Sequence, residues 1–223
     1  MIDTERGSAR KYADLFIFDV LESDFFHPQR YIDAIHDAEQ AGYAVLIIDS
    51  LSHAWVNKEG ALELVDKTAQ RLAATYRSGT EDSFAAWREV TPIHNALVDA
   101  MVQSRLPLIV TMRTKTEYIV ETKDGKTAPR KIDLAPIQRD GLEYEFDVFA
   151  DVDHDNTLIV QKTRCPALAG SVFPKASKDI ATILNTWLPG VPLPASPVPT
   201  PAPPSSTSRD FCGPAHPPGD GPA

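Results

Sequence analysis

Continuous apolar runs alternate with amphipathic segments in the first half of the chain. The clearest run covers residues 44–48, is rich in β-branched residues and ends in Asp49 and Ser50. Such a run predicts a strand that is covered on both faces, as in a parallel sheet flanked by helices. Residues 106–112 form a second run of this kind, and residues 15–21 predict a shorter strand.

Apolar residues at helical spacing occupy the segments around these strands. The spacing predicts helices over 28–41, 59–76, 83–103 and 180–188. Pro92 lies inside the third of these helices, where a proline is expected to kink or split it. Strands that alternate with helices up to residue 112 predict an α/β fold with a mostly parallel sheet flanked by helices.

The pattern changes after residue 112. Residues 117–133 predict a β-hairpin with Asp124 and Gly125 at its turn, and residues 144–151 and 157–162 predict an antiparallel strand pair. The segment 189–223 contains 12 of the 19 prolines and cannot bury a core, so we expect it to be disordered. The expected organisation is a core domain over 1–188 and a Pro-rich tail over 189–223.

Charge and cysteine content restrict the class of protein. The net charge of −9 and the pI near 5.1 argue against a protein that coats nucleic acid through its whole surface. Cys165 lies in the expected core and Cys212 in the tail, so we expect a reducing cytoplasm and no disulfide framework. No apolar stretch approaches the length of a membrane span, and the first residues lack the apolar run of a signal peptide.

Charged side chains follow three of the predicted strands. Glu5 comes just after the segment 2–4, and Asp49 comes directly after 44–48. Lys162 and Arg164 end another strand, with a spacing that points both side chains to one side. Two carboxylates and two cations at the edge of a sheet suit phosphoryl transfer, in which one carboxylate polarises water, the other holds Mg²⁺ and the cations neutralise developing charge.

Several segments together carry a resemblance to a known family: 2–9, 45–55, 84–88, 110–115, 138–141, 144–147 and 162–166. The chain resembles the RecA-like ATPases and, within them, the phage and prophage proteins described as AAA family ATPases, some of which act as single-strand annealing recombinases. The resemblance runs over residues 1–188. It implies a RecA-like fold, ATP and Mg²⁺ as cofactors, a role in the recombination or annealing of single-stranded DNA, and a phage or prophage origin in a bacterial cytoplasm.

The resemblance also implies roles for individual residues at the sheet. Glu5 matches the glutamate that activates the attacking water. Asp49 matches the Walker B aspartate, which holds Mg²⁺, and Ser50 matches the small polar residue after it. Thr111 and Arg113 lie where RecA-like proteins keep a polar sensor of the γ-phosphate, but the usual glutamine is absent there, and which residue acts as sensor stays open.

Two further residues match cations that act between subunits. Lys162 and Arg164 correspond to side chains that reach the nucleotide of a neighbouring subunit. The resemblance therefore implies a homo-oligomer whose nucleotide sites are complete only between subunits.

The phosphate-binding loop of the family is missing from this sequence. The motif Gly-x-x-x-x-Gly-Lys-[Ser/Thr] should precede the segment 2–5, and the only Gly-Lys-Thr, at 125–127, has Val120 in the place of the first glycine. We expect an N-terminally truncated gene or a misassigned start, weak or no ATP binding by this chain, and an uncovered apolar sheet surface where the missing strand would lie between 106–112 and 157–162. The alternative is a non-catalytic remnant, or an interaction subunit that supplies Lys162 and Arg164 to a partner ATPase.

The segment 113–139 is net positive within an acidic chain, which predicts contact with single-stranded DNA. The alternative is a solvated hairpin whose charges keep an edge strand soluble. The candidate DNA-binding residues are Lys115, Lys123, Lys126, Arg130 and Lys131.

For three other residues, a structural role is a better interpretation than a functional one. We expect His53 to pack in a loop, His94 to be a capped or surface residue, and Cys165 to fill a small buried space.

Overall fold

The computed structural model describes residues 1–76, 82–123 and 126–188, with the side chains of all of these except 76 and 116–134. Four short strands form the main sheet: β1 (Ile2–Asp3), β2 (Leu21–Glu22), β3 (Leu46–Asp49) and β4 (Leu108–Val110). Their order is β2-β1-β3-β4, and every neighbouring pair is parallel. The predicted α/β fold with a parallel sheet is therefore confirmed.

Helices lie between the strands, as the periodicity predicts, and one more helix follows the last strand. They are α1 (Pro28–Gln40), α2 (His53–Val56), α3 (Ala61–Tyr76), α4 (Ser83–Val102) and α5 (Lys178–Trp187). Their apolar faces form the core together with the sheet, since Tyr31 and Ile35 of α1 and Leu97 of α4 pack with Ile48 of β3. The short helix α2, directly after β3, was not predicted.

Pro92 neither splits nor ends α4, so of the two expected effects the split is wrong and the kink stays a prediction. The helix begins after Asp82, whose carboxylate accepts the backbone N–H groups of Phe84 and Ala85 at 2.9 and 3.1 Å. Val90 and Leu97 are both buried, on either side of the proline. Packing of this face on both sides offsets the hydrogen bond that the proline removes.

The main sheet is covered less completely than the sequence predicts. In β3, Leu46 and Ile48 are buried, but Ile47 and Asp49 on the other face are only half-buried. In β4, Ile109 is 54% exposed, and β3 is the only strand that pairs with β4 within the described ranges. The prediction of strands covered on both faces is therefore wrong for β3 and β4.

The predicted strand over 15–21 is mostly not a strand. Only Leu21–Glu22 pair, and Leu15, Phe16 and Ile17 are exposed. β2 is short because the neighbouring strand β1 has only Ile2 and Asp3 available for pairing.

The second half of the core is β-rich, as predicted. The hairpin consists of β5 (Thr114–Lys123) and β6 (Lys126–Pro136), and its predicted turn at 124–125 lies outside the described residues. A separate antiparallel sheet has the order β7-β8-β9, with β7 (Val148–Val152), β8 (Leu158–Thr163) and the unpredicted β9 (Val172–Phe173).

The predicted strands 106–112 and 157–162 thus belong to two sheets, β4 to one and β8 to the other. Cys165 is fully buried beside Val160 and Leu168, under α5, as expected. The tail 189–223 and its boundary fall outside the described residues. None of the described helices is both long and apolar enough to cross a membrane.

Candidate active site

The hydroxyl of Thr4 joins the carboxyl ends of β1 and β3. It donates to the carbonyl of Ser50 at 3.0 Å and accepts the backbone N–H of Ser50 at 2.7 Å. The backbone N–H of Thr4 donates to the carbonyl of Asp49 at 2.7 Å, and Nδ1 of His53 lies 2.8 Å from the hydroxyl. Thr4, Ser50 and His53 are all buried, so this cluster fixes the backbone on which Glu5 and Asp49 stand.

The backbone after β1 is also held by Asp3. Its buried carboxylate accepts the N–H of Glu5 at 2.7 Å and that of Ala9 at 2.8 Å. A carboxylate with two backbone donors is well satisfied inside a protein. The segment that carries Glu5 is therefore tied down at both Thr4 and Asp3.

The carboxylate of Glu5 is surrounded by polar groups. It accepts Nε of Arg113 at 3.0 Å together with a second guanidinium N–H, and it accepts the hydroxyl of Ser50 at 3.2 Å. Nε2 of His53 lies 3.7 Å from the same oxygen, Oε1. Burial alone would raise the pKa of Glu5, but the hydrogen bond from Arg113, the charges of His53 and Arg113 and the hydrogen bond from Ser50 outweigh it, so the pKa is lowered. Glu5 is therefore ionised at neutral pH.

Asp49 ends β3 next to Thr111, which follows β4. The hydroxyl of Thr111 donates to Oδ1 of Asp49 at 2.5 Å. Thr111 is placed by two backbone bonds, from its own N–H to Ile48 at 3.0 Å and from the N–H of Leu51 to its carbonyl at 2.9 Å. The peptide bond between Asp49 and Ser50 is cis.

The residues at this point fit Mg²⁺. That ion keeps several waters and takes one or two carboxylates with the phosphates of its substrate, so a single half-buried Asp49 beside a hydroxyl is a suitable donor set. Asp49 would hold the ion, and Thr111 orients its carboxylate.

Both ends of the hairpin reach this site. At the start, the N–H of Arg113 donates to Oγ of Ser52 at 2.9 Å, and its carbonyl accepts the N–H of Ile137 at 2.7 Å. At the end, the buried amide of Gln138 donates to the carbonyl of Leu51 at 3.3 Å. Ser52 and Gln138 could not be assigned a role from sequence, because their partners lie 61 and 87 residues away.

The prediction that His94 is a surface or capping residue is wrong. The imidazole is buried on α4, where Nε2 lies 3.2 Å from Oε1 of Gln138 and the ring packs against Trp55 with centroids 5.3 Å apart. Oε1 also accepts the N–H of Arg139, so it accepts from Nε2–H of His94 as well. Burial lowers the pKa of His94, the Gln138 hydrogen bond only partly opposing it, so the ring is neutral at pH 7.

The two predicted cations lie on β8 and on the loop after it, and they are satisfied there. Nζ of Lys162 donates to the carbonyl of Tyr144 at 2.9 Å and to that of Phe146. Arg164 pairs with the carboxylate of Asp147 at 2.9 Å. Among the described side chains, no hydrogen bond or ion pair links either cation to Glu5 or Asp49, so the carboxylate half of the predicted set is assembled and the cation half is not joined to it.

The predicted DNA-binding residues lie on the hairpin. Lys115 is exposed on β5. The backbones of Lys123 and Lys126 are direct cross-strand partners, and Arg130 and Lys131 pair with residues of β5. Apart from Lys115, the side chains of this set lie outside the described part, and their role stays a prediction.

Comparison with known proteins identifies the domain. A family model described as an AAA domain matches residues 1–171, which include Glu5, Asp49, Thr111 and Arg113. No curated protein and no solved structure matches the chain. Since the matched segment covers most of the chain, this protein belongs to the AAA domain family, whose domains are of the nucleotide-binding, ATPase type.

Proposed function

We propose that residues 1–171 supply the hydrolytic half of an ATPase site. Glu5 accepts a proton from the attacking water. Asp49 holds Mg²⁺, and Thr111 orients the carboxylate of Asp49. The observation that carries the proposal is the buried contact of Thr4 with Ser50 and His53, which brings Glu5 and Asp49 to one edge of the sheet.

The surroundings of Glu5 suit this task. A general base must be ionised before reaction, and the lowered pKa of Glu5 keeps it so. Ser50 and Arg113 both bind its oxygens and so restrict its orientation. Mg²⁺, when bound, would neutralise charge on the phosphates.

The phosphate-binding loop belongs to the proposal as a part supplied from outside these 223 residues. The sequence holds no Gly-x-x-x-x-Gly-Lys-[Ser/Thr] motif. Among the described strands β4 pairs with β3 alone, so its other edge is a place where a further strand has room to pair. We propose that the loop is supplied from outside these residues, and that the 223-residue chain alone binds ATP weakly or not at all.

The proposed biological role is the recombination or annealing of single-stranded DNA by a phage- or prophage-encoded homo-oligomer. Support comes from the hairpin: Lys115 is exposed on it, and its ends contact the site through Arg113 and Gln138. DNA bound to the hairpin would therefore act on groups that contact Glu5 and the loop after β3.

The experiment is ATP turnover with and without single-stranded DNA, for the 223-residue chain and for a version extended upstream through the motif. We expect turnover only in the extended form, and loss of that turnover in Glu5→Gln. Asp66→Asn, which changes an exposed carboxylate on α3, away from the assembled site and from the two cations, is the matched control. Tight ATP binding by the 223-residue chain, or equal turnover by Glu5→Gln, would contradict the proposal.

A second candidate is an interaction subunit that offers Lys162 and Arg164 to a partner ATPase. The exposure of Arg164, 57% of its side chain, favours it. Adding the 223-residue chain to an active partner would then raise turnover, and Arg164→Ala would not. Absence of any effect on a partner, together with turnover by the extended chain, would exclude this candidate.

A further inference from the structure

The hydrogen bonds of Thr4 determine which nitrogen of His53 carries a proton. A hydroxyl has one hydrogen and two lone pairs. The hydrogen goes to the carbonyl of Ser50, and one lone pair accepts the N–H of Ser50. With the hydrogen directed to Ser50, the contact with His53 at 2.8 Å uses the second lone pair, which assigns the imidazole proton to Nδ1.

A neutral His53 in this tautomer has a bare Nε2, and that atom faces Glu5. Nε2 lies 3.7 Å from Oε1 of Glu5. The ring of Phe26 packs against the imidazole, with centroids 5.0 Å apart, and the His53 side chain is only 5% exposed. The position of the ring is therefore fixed by Thr4 and by packing, and Nε2 has the catalytic carboxylate as its neighbour.

Charged groups facing the imidazole are Glu5, Arg113 and Asp49. Burial lowers the pKa of His53, Arg113 lowers it further, and Glu5 and Asp49 oppose this by raising it. The imidazole is consequently neutral at pH 7, and Nε2 has a free lone pair while Glu5 is ionised.

We propose that His53 takes from Glu5 the proton removed from the attacking water, and so acts on the reaction through Glu5. This rests on the proposed function of Glu5. The water O–H bond breaks and its proton goes to the Glu5 carboxylate. The electron pair left on oxygen forms the bond to the γ-phosphorus while the bond to the leaving ADP oxygen breaks. The proton then passes to Nε2, which leaves an ionised Glu5 beside an imidazolium.

The second transfer needs a small movement of Glu5, because 3.7 Å exceeds hydrogen-bond distance. Ser50 and Arg113 hold the carboxylate of Glu5, which is a loop residue. Rotation about the last side-chain torsion of Glu5 meets only a low energy barrier. The product, an ion pair of Glu5 with a cationic His53, restores the negative charge that Arg113 binds.

The first test uses the 223-residue chain and needs no turnover. Nitrogen NMR of the imidazole should report Nδ1–H and a bare Nε2 at pH 7, and Thr4→Val should remove this preference. Glu5→Gln should lower the pKa of His53, because the carboxylate raises it. An Nε2–H tautomer, or an unchanged His53 titration in Glu5→Gln, would overturn the inference whether or not the chain is an ATPase.

The second test separates the proton-accepting role from a purely structural one. His53→Asn keeps an N–H near the place of Nδ1 and so retains the bond to Thr4, but it has nothing at the place of Nε2. We expect an about tenfold lower kcat with unchanged KM in the upstream-extended form, and loss of the acidic limb that His53 protonation gives the wild-type pH profile. Full activity of His53→Asn with the wild-type profile would reduce His53 to a structural residue. Absence of turnover in the wild type would refute the proposed function and with it the proton transfer, whatever tautomer the NMR shows.

Discussion

The carboxylate corner (Thr4, Glu5, Asp49, Ser50 and His53) and the cation pair (Lys162 and Arg164) were assigned to the same chemistry from the same kind of pattern. In the structure they differ. The carboxylate corner is largely buried and cross-linked by contacts between residues 45 to 49 positions apart. The cation pair is bound to the adjacent segment 144–147. Charged residues that end neighbouring parallel strands must meet at one edge of the sheet, and residues of a separate sheet are under no such constraint.

Of the substitutions that test this comparison, the replacement of Glu5, the proposed general base, should have the largest effect. Glu5→Gln in the upstream-extended form should lower kcat at least about 100-fold with little change in KM, because removing a general base removes an interaction made in the transition state. Steady-state ATP turnover measures it. A fall of less than tenfold, or a fall matched by Asp66→Asn on α3, would show that the corner is no more important than an exposed carboxylate elsewhere on the domain.

Thr4→Val should cost stability, because it leaves the N–H and carbonyl of Ser50 and Nδ1–H of His53 without their buried partner. We expect a loss of about 1–3 kcal/mol in the free energy of unfolding, measured by urea denaturation. The matched control is Thr186→Val on α5, whose hydroxyl donates to the carbonyl of Thr182 on an exposed helix and which should change stability by less than about 0.5 kcal/mol. Equal losses in the two variants would mean that the corner is not cross-linked through Thr4.

The pH dependence of stability in Arg113→Gln tests the ion pair between Arg113 and Glu5. The folded-state pKa of Glu5 is lowered, so the stabilisation is present above the unfolded-state pKa and disappears as the pH falls through the folded-state value. Since 55% of the Arg113 side chain is exposed, solvent screening limits the loss at pH 7 to about 1 kcal/mol or less.

Urea denaturation at neutral and acidic pH measures the difference between wild type and Arg113→Gln, with Arg164→Gln as the control pair outside the corner. A difference that stays constant from neutral to acidic pH would disprove the link to Glu5.

Arg164→Ala should have the smallest effect on stability, less than about 0.5 kcal/mol, because its pair with Asp147 is exposed. Its effect on turnover tests the predicted action between subunits. We expect Glu5→Gln and Arg164→Ala in the upstream-extended form to be impaired separately and partly active when mixed, since some sites then combine an intact Glu5 with an intact Arg164. No recovery on mixing would count against a site shared between subunits.

Sequence reasoning succeeded where the signal was local. Apolar runs and helical spacing predicted the parallel sheet and the helices, and the ends of the strands then selected Glu5 and Asp49. In the structure, Thr111 contacts Asp49 and Arg113 contacts Glu5. Both residues lie in the segment 110–115, which carries part of the resemblance. What was predictable is therefore the set of groups at the ends of the strands.

The missed residues carry no periodic signal. Ser52 and Gln138 are single polar residues with partners distant in sequence, so only the fold shows that they are satisfied. His53 was expected to pack in a loop; it is buried, but it lies at the start of α2 and contacts Thr4. His94 was misplaced because Pro92 suggested a break that packing prevents. The strand at 15–21 was too long because a strand is limited by its neighbour, which composition does not show.

The open side of β4 has a practical consequence for work with the isolated chain. Within the described residues β4 has one edge without a neighbouring strand, where backbone N–H and carbonyl groups are unpaired, and the exposed Ile109 adds an apolar contact. We therefore expect preparations of the isolated chain to self-associate as the concentration rises. A charged residue in place of Ile109 is the natural choice for keeping such samples monodisperse.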